Sequence, residues 1–274
     1  MGNQTRVMKR RKRIDFLKVR IELERELPQL EAPVFIEGLG GLGNVGMLAA
    51  THLIRELDAI KIANVYSPYF VRTASPIPGI MYVDGVVELL KDEIYYDPEE
   101  NLMIFVGPYQ GSTIESYYMF AEAILDFCAE CGVRRIFTLG GYGTGRHVDE
   151  PKVYGVATDA RLVEEIKSHG VHVEKGYHGP ITGMAGLLIG LGKELGFEGI
   201  CLLGETHGEY PDPKAARAVF KALTSILGIK ASTDALDREI EILEEEMRRM
   251  AEQEKMRRRR AEFAPFDERY LGYV

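Results

Sequence analysis

Short apolar runs alternate with stretches of helical periodicity along most of the chain. The apolar runs lack strict polar alternation, which is typical of strands that are buried on both faces of a sheet. Strands are predicted at residues 34–37, 60–66, 101–106, 135–139, 153–157, 171–174 and 199–203. Helices are predicted at residues 45–57, 112–131, 159–169, 183–195 and 212–227. This order predicts a three-layer α/β domain over residues 30–231, with helices covering both faces of a mainly parallel sheet.

Local signals support several of these boundaries. Asp84 and Gly85 tolerate the positive φ angles of a tight turn, so residues 80–83 and 86–90 are predicted to form a β-hairpin. Pro213 in the first turn and Gly228 after the last turn are typical of the two ends of a helix.

The pattern changes after residue 231. Residues 232–263 read as one helix with an apolar stripe at spacings of four, three, four and three. The stripe consists of Leu236, Ile240, Leu243, Met247 and Met250. Two heptads are too few to hold isolated helices together, so we expect this seam to pack on its own domain or to join subunits of a ring. Ala264 and Pro265 end the helix, and residues 264–274 are predicted to form a flexible tail with an aromatic tip.

The composition of the chain limits the kinds of protein that it can be. A chain of 274 residues with 46% hydrophobic composition can bury a large core. No apolar run is long enough to predict a membrane span, and we expect a cytoplasmic protein. Of the three cysteines, Cys128 and Cys131 fall within a helical apolar pattern and are interpreted as packed free thiols rather than a redox pair.

The net charge of −8 is unevenly distributed. Basic residues concentrate in an N-terminal segment, residues 1–29, and again near residues 248–260, whereas the body between them is acidic. An acidic body repels phosphate, which argues against nucleic acid as a partner. The basic segments have three possible explanations, which all stay open. They are solvated chain ends, contacts between subunits, and RNA binding through the ends.

A glycine-rich segment follows the first predicted strand and fits the G-x-G-x-x-G spacing of phosphate-binding loops. Its glycines are Gly38, Gly40, Gly41, Gly43 and Gly46. A dinucleotide site also requires an acidic residue at the end of the second strand, and residues 60–66 run into Ser67 and Pro68 instead. Two interpretations stay open: a structural turn that packs the helix on the strand, and a loop that binds a small ligand.

Other polar segments lack a complete catalytic or metal-binding pattern. Residues 140–147 resemble a phosphate cradle but lack the Gly-Lys-Ser/Thr ending of a P-loop. Glu205, His207 and Glu209 follow a buried strand, without the paired histidines of a helical zinc site. The remaining candidates near loop ends are His147, Asp149 and His178. We therefore expect no metal, no cofactor and no catalytic residue.

The last residues form a short motif, Leu271, Gly272, Tyr273 and Val274. A penultimate tyrosine beside a free carboxylate has the chemistry to enter a pocket, with the ring buried and the terminal charge paired to a lysine.

Several segments, in order along the chain, resemble archaeal members of the proteasome-assembly-chaperone family. They are residues 38–46, 105–107, 136–141, 153–158, 179–183, 202–206, 211–216 and 227–229. The resemblance implies a phosphorylase/hydrolase-like α/β fold without catalysis, a homo-oligomer, and a role in assembling or capping the proteasome core without ATP.

The same resemblance implies a role for the C-terminal motif. Related activators end in a hydrophobic residue, a tyrosine and any residue, and dock between α-subunits of the core. Tyr273 and Val274 match this pattern, Gly272 departs from it, and Leu271 lies one position earlier. The alternative hypothesis is an α/β enzyme that binds a nucleotide or a small metabolite at the glycines of residues 38–46.

Overall fold

The structure, a computed structural model, describes residues 15–27, 30–71, 79–174 and 179–262, with only the backbone at 247–248, 250–252 and 254–262. Within these ranges the strands are β1 (Arg20–Leu23), β2 (Val34–Leu39), β3 (Ile60–Tyr66), β4 (Ile80–Val83), β5 (Val86–Leu89), β6 (Asp92–Asp97), β7 (Leu102–Gly107), β8 (Arg135–Gly143), β9 (Val153–Ala157) and β10 (Glu198–Thr206). The helices are α1 (Val45–Glu56), α2 (Ile114–Glu130), α3 (Ala160–Ser168), α4 (Gly183–Glu194), α5 (Pro213–Leu227) and α6 (Asp234–Glu262).

Eight strands form one sheet in the order β1-β3-β6-β7-β2-β8-β10-β9. The four strands β7, β2, β8 and β10 run parallel to one another and form the centre. Antiparallel strands extend the sheet on both sides, with β6, β3 and β1 beyond β7 and β9 beyond β10. Central strands such as β7 are buried along their whole length, as expected where helices cover both faces.

Helices form the two outer layers. On one face α1 packs against α5, with the His52 ring edge-on to Phe220 at a centroid distance of 4.6 Å. On the other face α2 packs against α4, over a core that includes Phe35, Phe105 and Phe120. The three-layer α/β fold with a parallel centre is therefore confirmed.

Two strands of the sheet, β1 and β6, were not predicted from the sequence. β1 carries charged residues and lies at the edge of the sheet, where β3 is its one strand partner among the described residues. β6 begins and ends with aspartates, Asp92 and Asp97, that are buried. Conversely, the strand expected at residues 171–174 is reduced to a single bridge between His172 and Tyr154.

The predicted hairpin is present as β4 and β5, which pair only with each other within the described residues. The turn residues Asp84 and Gly85 have φ angles of 50° and 82°. These positive values are the conformation that the Asp-Gly pair was predicted to supply.

The chain divides into two compact units, Met1–Ala231 and Ser232–Val274. In the second unit, α6 carries the predicted apolar seam. Leu236 and Ile240 are buried and Leu243 is half-buried. The side chains of Met247 and Met250, and the tail residues 264–274, lie outside the described part of the structure.

Candidate functional site

A cleft of about 450 Å³ opens at the carboxyl ends of β2 and β8. Glu37 and Leu139 come from these strands, Tyr154 comes from β9, and Thr182 precedes the first turn of α4. Parallel strands place their carboxyl ends at one edge of a sheet, which is where open α/β sheets bind ligands. The cleft is therefore the candidate site that the fold itself positions.

Glu37 lies on the floor of this cleft and is only 1% exposed. The Leu39 N–H donates to Glu37 Oε1 at 3.1 Å, whereas Oε2 has no hydrogen-bond partner among the described residues. Burial raises the pKa of Glu37 to about 8, and the N–H groups of Leu39 and Leu139 only partly offset this effect. The carboxyl is therefore mostly protonated at neutral pH.

A row of buried polar side chains continues from Glu37 across the sheet. Glu37 pairs in register with Thr138 on β8, and Thr138 pairs with Cys201 on β10. The Thr138 hydroxyl donates to the Ala185 carbonyl in α4 at 2.9 Å, which ties the helix to the sheet. Burial raises the pKa of Cys201 to about 12, so its thiol stays protonated and is a poor nucleophile.

Asp92 is a second buried carboxyl, but it does not line the cleft. Tyr109 N–H donates to Asp92 Oδ1 at 3.2 Å, and Oδ2 has no partner in the described ranges. Burial, and to a smaller extent the charge of Glu37, raises the pKa of Asp92 well above its usual range. The two acids thus differ in their access to the cleft rather than in their burial.

Most of the glycines in the predicted phosphate-binding loop serve packing. A Cβ on Gly46 would lie 2.2 Å from the Leu139 carbonyl oxygen, and a Cβ on Gly38 would lie 2.4 Å from the Ala50 Cβ. A Cβ on Gly43 would lie 2.6 Å from Thr206 Oγ1, and a Cβ on Gly40 would lie 3.0 Å from the Pro108 carbonyl oxygen. The contacts of Gly46 and Gly38 bring α1 against β8 and β2, as the structural interpretation requires.

Only Gly41 of these five glycines lines the cleft, where a Cβ would meet nothing nearer than Gln110 Nε2 at 3.7 Å. Gln110 connects two walls of the cleft. Its Nε2 donates to the Gly40 carbonyl and its Oε1 accepts from Met184 N–H at 3.1 Å. A side chain of the protein therefore already satisfies an N–H in the first turn of α4.

The segment after β10 stabilises the start of α5. Asp212 accepts from the Thr206 hydroxyl at 2.7 Å and caps α5 by accepting from Ala215 N–H at 3.1 Å. His207 Nε2 lies 3.6 Å from Asp212 Oδ2, while His207 Nδ1 accepts from Glu209 N–H at 3.1 Å. Both nitrogens of this histidine are therefore engaged within the segment.

The other candidate site residues from the sequence analysis do not lie together in one site among the described residues. His147 stacks near His207 at a centroid distance of 4.6 Å, and Asp149 forms an exposed ion pair with Lys214. His178 lies outside the described residues. The described side chains contain no group of three or more His, Cys, Asp or Glu residues that is arranged to hold a metal ion.

Cys128 and Cys131 are buried free thiols in α2 and its C-terminal end. Burial raises the pKa of Cys131 to about 11 and that of Cys128 well above its usual range. Protonated buried thiols are inert, in line with their interpretation as packing residues. In the part of the chain that the structure describes, no helix is long and apolar enough to span a membrane.

Glu37 is the site residue that sequence reasoning missed. The available signal is its position as the only acid in the apolar strand β2. The C-terminal motif, Leu271, Gly272, Tyr273 and Val274, lies outside the described residues, so its role and that of the α6 seam stay predictions.

Comparison with known proteins identifies relatives along most of the chain. The profile of the PAC2 family matches residues 35–251. A Methanocaldococcus jannaschii protein described as uncharacterized is 32% identical over 251 residues, which are 91% of this chain and 95% of that protein.

Two solved structures from Pyrococcus furiosus are similar in both sequence and fold. PbaB, described as an archaeal proteasome activator, is 40% identical with a TM-score of 0.78, covering 86% of this chain and 99% of that one. PbaA, described as an archaeal homolog of proteasome-assembly chaperone, is 31% identical with a TM-score of 0.74, covering 89% and 96%.

Proposed function

The chain belongs to the PAC2 family of archaeal proteasome-assembly-chaperone homologues, and on that basis we propose that it is a non-catalytic, ATP-independent assembly chaperone or activator of the proteasome. It works in the cytoplasm as a homo-oligomer. The observation that carries the proposal is the similarity to the proteasome activator PbaB over nearly the whole length of that protein.

In this proposal the C-terminal motif is the docking element. Leu271, Gly272, Tyr273 and Val274 reach proteasome core α-subunits, or another protein client, with the Tyr273 ring buried and the Val274 carboxylate paired to a cation. A single short tail makes a weak contact. Several tails on one oligomer raise the effective concentration, which supports useful avidity without any large interface.

Deleting residues 270–274 is expected to weaken binding to the proteasome core particle by at least about tenfold, because it removes both tyrosines of the tail. A shorter deletion of residues 272–274 would leave Tyr270 penultimate to a new terminal carboxylate and would rebuild the motif. The measurement is surface plasmon resonance with immobilised core particle and full-length protein. Tyr273→Ala should reproduce the loss, whereas the matched control Tyr270→Ala should bind like the wild type. Undiminished binding of the deletion variant would rule out docking through the tail and leave the scaffold role in place.

Self-association is supported by the exposed hairpin of β4 and β5. The cross-strand pair Tyr82 and Val87 is 76% and 72% exposed, and on the opposite face the pair Val83 and Val86 is 51% and 64% exposed. An isolated two-stranded hairpin is marginally stable in water, and its outer edges have no strand partner among the described residues. A two-fold copy presents the same edge and the same apolar side chains, so we assign the hairpin to a contact between copies of this chain.

The seam of α6 is a second proposed contact between subunits. Its members are Leu236, Ile240, Leu243, Met247 and Met250.

The double variant Tyr82→Lys, Val87→Lys is expected to shift the particle toward the mass of one chain, 30.8 kDa, because it buries two charges in the proposed contact. Light scattering at several concentrations measures the mass. The control Leu195→Lys charges another exposed aliphatic residue away from the hairpin. An oligomer of unchanged mass would exclude the hairpin, and a monomeric wild type would contradict self-association altogether.

A further inference from the structure

The cleft beside Glu37 has no part in the docking and the hairpin contact that are proposed above. It has the size of a small-molecule site, and its walls come from several elements of the sheet and from α4. The side chains that line the cleft determine which class of ligand it can bind.

The floor presents a hydrogen-bonding group that the protein leaves unsatisfied. Glu37 is almost completely buried, and its Oε2 has no partner in the described part of the chain, whereas nearly all buried polar atoms in proteins have one. Apolar side chains, Leu39 and Leu139, lie beside it in the lining. A ligand that reaches the floor would therefore bring its own polar group to the carboxyl.

Aromatic rings border the same cleft. The Tyr142 and Tyr154 rings lie 4.8 Å apart at an angle of 46°, and the His172 ring lies 6.0 Å from Tyr154. Rings at such distances offer faces and edges on which a flat ligand can stack.

The charge of the lining selects against phosphate. None of its described residues is Lys or Arg, while the exposed Glu174 adds a negative charge. The N-terminus of α4 is already engaged by Gln110 at Met184 N–H. Phosphate-binding sites normally rely on several free N–H groups or on cations. The described lining supplies no Lys or Arg, and one N–H at the start of α4 is already satisfied.

We infer that this cleft binds a small, uncharged heteroaromatic molecule with an amide-type hydrogen-bonding edge, of the chemical class of a nucleobase or nicotinamide. The carboxyl of Glu37, whose Oε2 is buried in the free protein, turns toward the cleft and bonds that edge. The rings of Tyr142 and Tyr154 pack against the plane of the ligand.

The test uses the full-length protein and the probes adenine, hypoxanthine and nicotinamide, with AMP as the phosphate-bearing counterpart of adenine. Isothermal titration calorimetry measures affinity and stoichiometry. We expect at least one uncharged probe to bind once per chain, and AMP to bind at least about tenfold more weakly than adenine.

Glu37→Leu is expected to weaken the binding of that probe by at least about tenfold while leaving the melting temperature of the free protein unchanged or higher, since it removes an unsatisfied buried group. Tyr154→Ala, at the rim, provides a second variant that should weaken binding several-fold. The control Asp92→Asn alters the other buried carboxyl, outside the cleft, and should bind like the wild type.

Three results would overturn the inference. They are an absence of binding for all three uncharged probes, binding of AMP as tight as that of adenine, and an unchanged affinity in both the Glu37 and the Tyr154 variants.

Discussion

Replacing Glu37 with Gln is expected to stabilise the protein in a pH-dependent way. The gain in the free energy of unfolding over the wild type should be larger at pH 8 than at about pH 4, by on the order of 4 kcal/mol. The carboxyl has a folded-state pKa of about 8, against an ordinary value of 4.5, because burial penalises its charged form. Below pH 4.5 it is protonated in both states and contributes no pH dependence. Between pH 4.5 and about 8 only the unfolded chain releases the proton, so the wild type loses stability as the pH rises.

Urea denaturation at about pH 4, 6 and 8 measures this difference. Asp92 and Cys201 also interact electrostatically with Glu37, and comparing each variant with the wild type at the same pH separates their contribution. The control Glu122→Gln removes a negative charge from the exposed surface of α2. Parallel pH profiles for the wild type and Glu37→Gln would show that the buried carboxyl is not held protonated.

Gly46→Ala is expected to lower the free energy of unfolding by on the order of 3 kcal/mol. The added Cβ would lie 2.2 Å from the Leu139 carbonyl oxygen, so the backbone of α1 or β8 must shift. The higher helix propensity of alanine offsets at most about 1 kcal/mol of this cost. Gly38→Ala should behave similarly, because its Cβ would collide with Ala50.

The matched control is Gly41→Ala, in the same loop, where a Cβ has room. Its stability should stay within about 0.5 kcal/mol of the wild type. Denaturation of the three variants under one condition checks the ranking. If Gly46→Ala and Gly41→Ala cost the same, close packing of α1 does not explain the glycines, and the alternative hypothesis of a ligand-binding loop is favoured.

The two proposed activities of the molecule depend on different residues. Docking depends on the C-terminal motif and on the number of associated chains, whereas the cleft depends on Glu37 and the rings beside it. Loss of the tail residues 270–274 should therefore leave ligand affinity unchanged, and variants of the cleft should leave docking unchanged.

Much of the local structure was determined by the sequence alone. The alternation of apolar runs and helical periodicity is sufficient for a three-layer α/β fold, because both signals depend on neighbouring residues only. The Asp84-Gly85 turn and the Asp212 cap before Pro213 work in the same way, through side chains that act within a few residues of their own position. The ordered segments along the chain were likewise enough to identify the family.

Features that depend on pairing between distant segments of the chain are visible only in the tertiary structure. β1 and β6 have no strong apolar pattern, and they become strands because the edges of β3 and β7 are available for antiparallel pairing. Glu37 is an ordinary glutamate in the sequence. It becomes a buried, protonated group on the floor of a cleft only when β2 is enclosed between β7 and β8 and covered by α4, because desolvation is a property of the assembled layers and not of the residue.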